Sequence, residues 1–483
     1  MAIVPRMLAG VTAVVVLSAA TPALAAPPDR GLRNVIHLVG DGMGFNQVDL
    51  GSLYEHGVSQ HQVEVDASSG RVRRVPGRPT QVYQHFPVRG AVATFQDGAG
   101  YDPRKAWSDF EHVLADPPDS AATATALATG VRSYNAAIGV DRDGKPVENL
   151  AERAHKLGKT TGVVSSVPYS HATPAAYTVH NEHRDNYHEI SKAMLTSSDV
   201  NVVMAPGHPW FDADGKRRAQ PVYEHIDEPT WTAATTGGTK HTFVSAKDDI
   251  VGLAHARKVP KHVFAVPEVA QTLQYQRGGT DKDAQGDPVP GARPYQAPPV
   301  RSVPSLSQLT ASALNVLHRG SDRGFFLMVE GGAIDWASHE NRPNRLVEEQ
   351  LAFNRAVETV VDWVERHSSW RETLVVVTAD HETGYLTGPG ANPDWTALTG
   401  TRGKLADTAW HTYGHTGSLV PLYAKGRGAE AIRRAATGVD PVRGRYLENI
   451  AVPKVVFEQW TGRTLLPEGA ESWQQADRRN VLR

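Results

Sequence analysis

One serine of this chain lies where a helix is expected to begin. Residues 116–120 read Asp-Pro-Pro-Asp-Ser and lead into a run of Ala, Thr and Leu that reaches Gly130. The prolines fix the entry, Asp119 is suited to cap the helix, and Gly130 is suited to end it. Ser120 would then meet free backbone N–H groups and the positive end of the helix dipole, which favour an anion or an alkoxide. Ser120 is therefore a candidate nucleophile with phosphate as a candidate ligand, although an isolated serine at such a position is more often only a cap.

Residue types that can bind metal ions recur along the chain, and they favour the nucleophile interpretation of Ser120 over a role as a helix cap alone. They fall in four motifs, which are Val-Gly-Asp-Gly at 39–42, Glu-Gly-Gly-Ala-Ile-Asp-Trp-Ala-Ser-His at 330–339, Asp-His-Glu at 380–382 and Gly-His-Thr-Gly at 414–417. The candidate ligands in these motifs are Asp41, Glu330, Asp335, His339, Asp380, His381 and His415. Because the chain contains no cysteine, a zinc site would have to use nitrogen and oxygen ligands.

The spacing within two of these motifs is informative. Asp335 and His339 are four residues apart, so they share a face if the segment is helical. Asp380 and His381 are adjacent, which suits a strand end or a loop. Each pair alone is weak evidence for a metal site, and the complete set is strong evidence.

At these motifs, and in their order along the chain, the sequence resembles the alkaline phosphatase family. The resemblance runs from about residue 34 to about residue 425 and is weaker between about 207 and 304. It implies an enzyme that hydrolyses small phosphate monoesters through a phosphoserine on Ser120, with activity that rises toward alkaline pH. It also implies a site with two Zn²⁺ and one Mg²⁺.

The resemblance assigns the candidate ligands to individual metals. Around one zinc, which would bind the leaving group and later activate water, it implies Asp335, His339 and His415. Around the second zinc, which would also contact Ser120 and lower its pKa, it implies Asp41, Asp380 and His381.

A third metal is implied by Asp41 bridging to Glu330 and Thr173, an all-oxygen set that suits octahedral magnesium. The sequence departs here from one branch of the family. His171 stands where some bacterial members carry Asp, and Trp336 stands beside Asp335 where they carry Lys. Imidazole is a softer neighbour than carboxylate, so the identity of the third metal stays open.

Arg184 matches the arginine that binds phosphate in this family. A guanidinium fork fits two equatorial oxygens of a phosphoryl group. On its own, an arginine beside Glu182 and Asp185 is more often part of a surface ion pair. The preceding Thr173 segment makes the phosphate-binding interpretation preferable.

The elements that must position these residues indicate an α/β fold. Short apolar runs predict buried parallel strands at 35–39, 161–167, 200–204, 325–329, 374–378 and 419–424. Amphipathic patterns between them predict helices that include 148–157, 306–318 and 345–367. This alternation predicts a three-layer sandwich with a central, mostly parallel β-sheet flanked by helices. We expect residues 26–483 to form a single catalytic domain with an insertion at about 207–304, made of irregular segments and short strands.

The candidate ligands are placed where such a fold builds its sites. Asp41, Glu330 and the pair Asp380 and His381 each follow a predicted strand. Open α/β sheets bind ligands at the carboxyl ends of their strands. The sequence therefore predicts that these distant motifs meet at one edge of the sheet.

The N-terminal residues are typical of an export signal. Arg6 precedes an apolar stretch, and Ala-Leu-Ala at 23–25 forms a small-residue cleavage site, so we expect a signal peptide over 1–25. The stretch is too short and too interrupted for a good membrane span. The mature protein is then expected to be secreted or periplasmic, with no membrane span. The resemblance implies a homodimer, although monomers also occur in the family. A net charge of −2 gives no footprint for nucleic acid.

Two other functions remain open from the sequence. The first alternative is that this chain belongs to the same superfamily but cleaves phosphodiesters or other esters. The Cys/Ser-x-Pro-x-Arg pattern of sulfatases is missing around Ser120. An exported protein that binds phosphate or metal without turnover is the second alternative, and the intact ligand set argues against it. The physiological substrate and the oligomeric state are left open.

Overall fold

The computed structural model describes residues 31–283 and 289–462 of the 483-residue chain. The expected signal peptide at 1–25 lies outside the described residues. The strands are β1 (Asn34–Gly40), β2 (Val63–Asp66), β3 (Arg71–Arg74), β4 (Val88–Ala93), β5 (Thr160–Ser165), β6 (Val202–Met204), β7 (Thr242–Val244), β8 (Val263–Ala265), β9 (Phe325–Gly331), β10 (Thr373–Ala379), β11 (Glu382–Thr383), β12 (His415–Thr416), β13 (Val420–Gly426), β14 (Gly438–Asp440) and β15 (Gly444–Glu448). The α-helices are α1 (Phe45–His56), α2 (Phe110–Leu114), α3 (Ser120–Thr129), α4 (Leu150–Lys156), α5 (Ala172–Ala176), α6 (Tyr187–Thr196), α7 (Glu228–Thr235), α8 (Lys247–Gly252), α9 (Leu306–Gly320), α10 (Ala333–His339), α11 (Pro343–His367), α12 (Ala429–Arg434) and α13 (Ala451–Thr461). Two 3₁₀ turns lie at Val82–His85 and Lys105–Trp107.

Within the described part of the chain, one large mixed sheet organises the fold. Its strand order is β14-β15-β4-β13-β10-β1-β9-β5-β6-β8-β7. The seven strands from β10 to β7 in that order run parallel to one another, and helices flank the sheet. The predicted α/β class with a mostly parallel central sheet is therefore confirmed. No described helix has both the length and the apolar character needed to cross a membrane.

The central strands bring the candidate ligands to one level. β1, β9 and β10 are buried along their whole length, as continuous apolar parallel strands are. In the paired register, Gly40 of β1 lies beside Gly331 of β9 on one side and beside Ala379 of β10 on the other. The residues that follow or precede these three positions therefore meet at the same edge of the sheet.

One of the predicted strands runs in the opposite direction to the expectation. The apolar run at 419–424 was predicted to be parallel, but it belongs to β13, which pairs antiparallel with both β10 and β4. A parallel connection needs a crossover that is usually helical. The chain between β10 and β13 contains only the short strands β11 and β12, so it returns without a crossover.

The segment 207–304 contains more regular structure than its composition indicates. It includes α7 and α8, and its strands β7 and β8 extend the central sheet beyond β6. Buried ion pairs attach its last part to α11, since Arg345 contacts Asp281 at 2.6 Å and Arg277 contacts Glu348 at 2.6 Å. Residues 284–288 of this segment lie outside the described part of the chain.

Candidate active site

Ser120 is the first residue of α3, as predicted. Asp119 caps this helix by accepting a hydrogen bond from the Ala122 amide at 2.9 Å, and Gly130 ends it in the left-handed conformation at φ 77°. The Ser120 side chain is buried and lies 3.1 Å from His381 Nε2 and 3.5 Å from Asp41 Oδ1. The hydroxyl therefore combines a helix N-terminus with two of the candidate metal ligands.

Asp41, Asp380 and His381 form one compact group, which we call the Asp380 cluster. His381 Nε2 lies 3.3 Å from Asp380 Oδ2 and 3.5 Å from Asp41 Oδ1. The amide of Gly42 donates to Asp380 Oδ1 at 3.1 Å, and Gly42 has a φ of 70° that favours glycine. The turn after β1 thus brings Asp41 against the end of β10, and all three ligand atoms lie within 4.8 Å of one another.

Asp335, His339 and His415 form a second group, which we call the His339 cluster. Asp335 and His339 lie on one face of α10, and His339 Nε2 is 3.3 Å from Asp335 Oδ2 and 3.0 Å from His415 Nε2. Each Nδ1 faces a backbone carbonyl, that of Tyr413 for His339 and that of Pro118, at 2.9 Å, for His415. Carbonyls can only accept hydrogen bonds, so Nδ1 of each ring is occupied and Nε2 is the nitrogen left for another partner. The two Nε2 atoms face each other beside the Asp335 carboxylate, and this arrangement fits a metal cation that takes the place of any proton there.

The two clusters are neighbours. The rings of His381 and His415 stack with their centroids 3.7 Å apart. The hydroxyl of Thr383 lies 2.5 Å from Asp335 Oδ1 and 3.3 Å from His381 Nδ1, so one side chain touches both clusters. Cations bound in the two adjoining clusters would be close enough to act on a single ligand.

A third group of polar side chains lies beside the Asp380 cluster, and we call it the Glu330 group. Asp41 Oδ2, Glu330 Oε1, Thr173 Oγ1 and His171 Nδ1 are all buried and have no hydrogen-bond partner among the described residues. Buried polar atoms are nearly always satisfied, so a set of four calls for a ligand. The ring of His171 lies 5.6 Å from that of Trp336, which places the two departures noted in the sequence side by side.

The electrostatics of the protein alone are unfavourable at this edge. Burial and the nearby Asp380 carboxylate raise the pKa of Asp41 well above its ordinary value. Burial also raises the pKa of Glu330 to about 7 and that of Asp380 to about 8. Concentrating buried carboxylates is costly unless cations compensate them, so the charge distribution fits the binding of divalent metals.

Arg184 is brought to Ser120 by a residue that the sequence had assigned only to capping. Its Nη1 contacts Asp119 Oδ2 at 3.0 Å, and Asp119 Oδ2 also accepts from the amide of Ala136 at 2.9 Å. Arg184 therefore does not pair with Glu182 or Asp185 at the surface among the described ion pairs. Because Asp119 directly precedes Ser120, this ion pair holds the guanidinium beside the candidate nucleophile.

Two further side chains at the site were not found from the sequence. Thr383 lies between the clusters, and the Glu382 carboxylate contacts Thr416, which follows His415, and Gln47, which lies six residues after Asp41. Their proximity in sequence to His381 was the available signal. Thr383 contacts Asp335 48 positions away, and Glu382 contacts Thr416 34 positions away and Gln47 335 positions away, which no local pattern encodes.

Comparisons with a family model, with curated proteins and with solved structures each find alkaline phosphatases. A family model described as alkaline phosphatase matches residues 32–404. Alkaline phosphatase 4 of Bacillus subtilis is 30% identical over 405 residues, which cover 82% of this chain and 72% of that protein. Alkaline phosphatase 3 of the same organism is 29% identical over 367 residues, which cover 75% of this chain and 64% of that protein. The solved structure of alkaline phosphatase from the Antarctic bacterium TAB5 is similar in fold, with a TM-score of 0.60 and 24% identity over 89% of this chain and 99% of its own.

Proposed function

The chain belongs to the alkaline phosphatase family, and from this premise we propose that it hydrolyses phosphate monoesters through a phosphoserine on Ser120. The observation that carries the proposal is the position of the Ser120 hydroxyl. It lies at the N-terminus of α3, 3.1 Å from His381 Nε2 in the Asp380 cluster, while Arg184 is held beside it by Asp119. Serine, paired ligand clusters and a phosphate-binding arginine together constitute a phosphoryl-transfer site.

We propose that the Asp380 cluster and the His339 cluster each hold one Zn²⁺, because mixed carboxylate and imidazole donors suit this ion. When bound, these ions would lower the pKa of the Ser120 hydroxyl and stabilise the negative charge on the leaving oxygen. For the Glu330 group we propose Mg²⁺, whose preferred ligands are the oxygens of Asp41, Thr173 and Glu330. Solved variants of the TAB5 enzyme, with Asp or Glu in place of a histidine, carry Mg in a site called M3.

The residues of this chain then have distinct tasks. Ser120 Oγ attacks phosphorus, so that an Oγ–P bond forms while the bond to the alcohol oxygen breaks and the alcohol leaves. Arg184 contacts the equatorial oxygens, and the free amides at the start of α3 face the same charge. A water molecule then attacks the phosphoserine, the Oγ–P bond breaks, and inorganic phosphate leaves while Ser120 regains its proton.

The same proposal extends to the organisation of the whole chain. Residues 26–483 would act as one catalytic domain after removal of a signal peptide over 1–25, and the mature protein would work outside the cytoplasm, either secreted or in the periplasm. This part rests on the sequence, and fractionation of cells that express the full chain tests it. Assembly as a homodimer is tested by light scattering of the purified protein.

The function itself is tested with p-nitrophenyl phosphate at alkaline pH. We expect hydrolysis that a chelator abolishes and that added Zn²⁺ and Mg²⁺ restore. Ser120→Ala is expected to abolish it, while the control Ser69→Ala, which alters an exposed serine, keeps wild-type activity. A metal-loaded wild type that does not hydrolyse the monoester would overturn the proposal. Faster cleavage of a diester with the same leaving group would instead assign the site to a phosphodiesterase.

A further inference from the structure

Glu382 is a buried carboxylate in contact with four hydrogen-bond donors. Its Oε1 accepts from Gln47 Nε2 at 2.7 Å and from the amide of Leu386 at 3.3 Å. Its Oε2 accepts from Thr416 Oγ1 at 2.7 Å and from the amide of Tyr385 at 3.2 Å. Two of these donors come from segments that are distant in sequence, so the carboxylate acts as a junction.

Three segments that carry candidate metal ligands meet at this carboxylate, namely its own and those of Thr416 and Gln47. Thr416 follows His415 of the His339 cluster, and Glu382 follows His381 of the Asp380 cluster. In the antiparallel pair of β11 and β12, Glu382 lies opposite Thr416. The side-chain bond across this pair therefore fixes the strand of His381 against the strand of His415.

The third segment is the turn after β1, which carries Asp41. Gln47 of α1 donates both to Glu382 and, at 2.8 Å, to the carbonyl of Thr383. The turn also approaches closely at Gly44, where an added Cβ would lie 2.4 Å from Glu382 Cγ. Glu382 is thus packed against the backbone that places Asp41.

We propose that Glu382 is a positioning residue that sets the relative placement of the Asp380 and His339 clusters and thereby their affinity for metal. The inference rests on the proposed function only in that the two clusters bind metal ions. It assigns a role to a side chain outside both clusters, because its four hydrogen-bond partners all belong to the framework around the candidate ligands.

The donor arrangement identifies the most informative substitution. Glu382→Gln keeps the size of the side chain but replaces one acceptor oxygen with an NH₂ group. Whichever way the amide is oriented, this group faces the amide N–H of Tyr385 or that of Leu386, and neither can accept a hydrogen bond. The substitution therefore disturbs the junction without creating a cavity.

The experiment starts from the zinc-loaded protein and measures the zinc retained per chain after dialysis against buffers of graded free zinc. For Glu382→Gln we expect zinc to be lost at roughly 10-fold to 100-fold higher free zinc than for the wild type. The control Glu349→Gln alters another buried glutamate, on α11, and is expected to retain zinc like the wild type. Urea unfolding of the same samples separates this effect from a loss of folded protein.

The possible results distinguish the inference from the function on which it rests. A Glu382→Gln protein that is less stable but retains zinc at the wild-type concentration would show a merely structural role and overturn the inference. If that variant does not fold, Thr416→Val removes one donor at nearly constant shape and is expected to weaken zinc retention by several-fold. A folded Thr416→Val protein with unchanged zinc retention would also overturn it. A wild type that retains no zinc would overturn the metal-site proposal itself.

Discussion

Replacing Arg184 with alanine should weaken phosphate binding by an amount that the geometry allows us to work out. One nitrogen of the guanidinium, Nη1, is engaged with Asp119 at 3.0 Å, so other N–H groups of the fork are free to contact two phosphoryl oxygens. A hydrogen bond between charged groups contributes about 1.5–3 kcal/mol. Because the Arg184 side chain keeps 18% of its exposure to solvent, we use the lower value for each of two bonds. The loss of about 3 kcal/mol corresponds to a roughly 150-fold fall in kcat/KM.

The assay compares kcat/KM for p-nitrophenyl phosphate and the inhibition constant of inorganic phosphate across a short series of variants. Arg184→Lys keeps a positive charge but loses the fork, so we expect a smaller loss of about 10-fold. Asp119→Ala releases Arg184 and should be strongly non-additive with Arg184→Ala. The control Arg142→Ala removes an exposed arginine, paired with Asp97, and should leave both constants unchanged. The reasoning is refuted if Arg184→Ala binds phosphate and turns over substrate within two-fold of the wild type.

Three other changes have expected outcomes that can be measured directly. Burial raises the pKa of Glu349 to about 7 from 4.5, so the stability of the protonated folded form is lost as pH rises from 4.5 through 7. The rise in pKa from 4.5 to about 7 corresponds to about 3–4 kcal/mol, at about 1.4 kcal/mol per pKa unit. Glu349→Gln should then stabilise the protein by about that amount at pH 9 and by little at pH 4 in urea unfolding, and unfolding curves that are equal for variant and wild type at pH 9 would contradict this. In the metal-free protein the pKa values of Glu330 and Asp380 are raised to about 7 and about 8, so at pH 9 both buried carboxylates are charged and uncompensated. Removing the metal with a chelator should therefore lower the unfolding midpoint more at pH 9 than at pH 6. An equal shift at both pH values would argue against buried uncompensated carboxylates. Gly42→Ala should destabilise the protein by about 1–3 kcal/mol, because Gly42 has a φ of 70° and an added Cβ would lie 2.8 Å from Asp335 Cα. An unchanged denaturation midpoint would show that this turn can relax.

The local features of the site could be predicted from the sequence because local chemistry encodes them. The start of α3 at Ser120 follows from Asp119 and two prolines, and the helical pair in α10 follows from the spacing of Asp335 and His339. The convergence at one sheet edge followed from a general property of parallel strands, and the register of β1 with β9 and β10 agrees with it.

The remaining features depend on contacts between distant residues. Nothing near Arg184 indicates that its partner is Asp119, 65 positions earlier, because the neighbouring carboxylates at 182 and 185 are equally plausible. The direction of β13 depends on the missing crossover, and the strands β7 and β8 are only three residues long in a Pro- and Gly-rich segment. The junction at Glu382 could not be predicted for the same reason, since it joins Gln47 to Thr416, which are far apart in the sequence.

The most direct test of the central claim is to trap the covalent intermediate. The metal-loaded protein is mixed with a phosphate monoester, quenched in acid during turnover and digested, and the phosphorylated peptide is located by mass spectrometry. We predict phosphate on Ser120 in the wild type and no phosphopeptide in Ser120→Ala. Turnover with phosphate on another residue, or turnover by Ser120→Ala at the wild-type rate, would contradict the account.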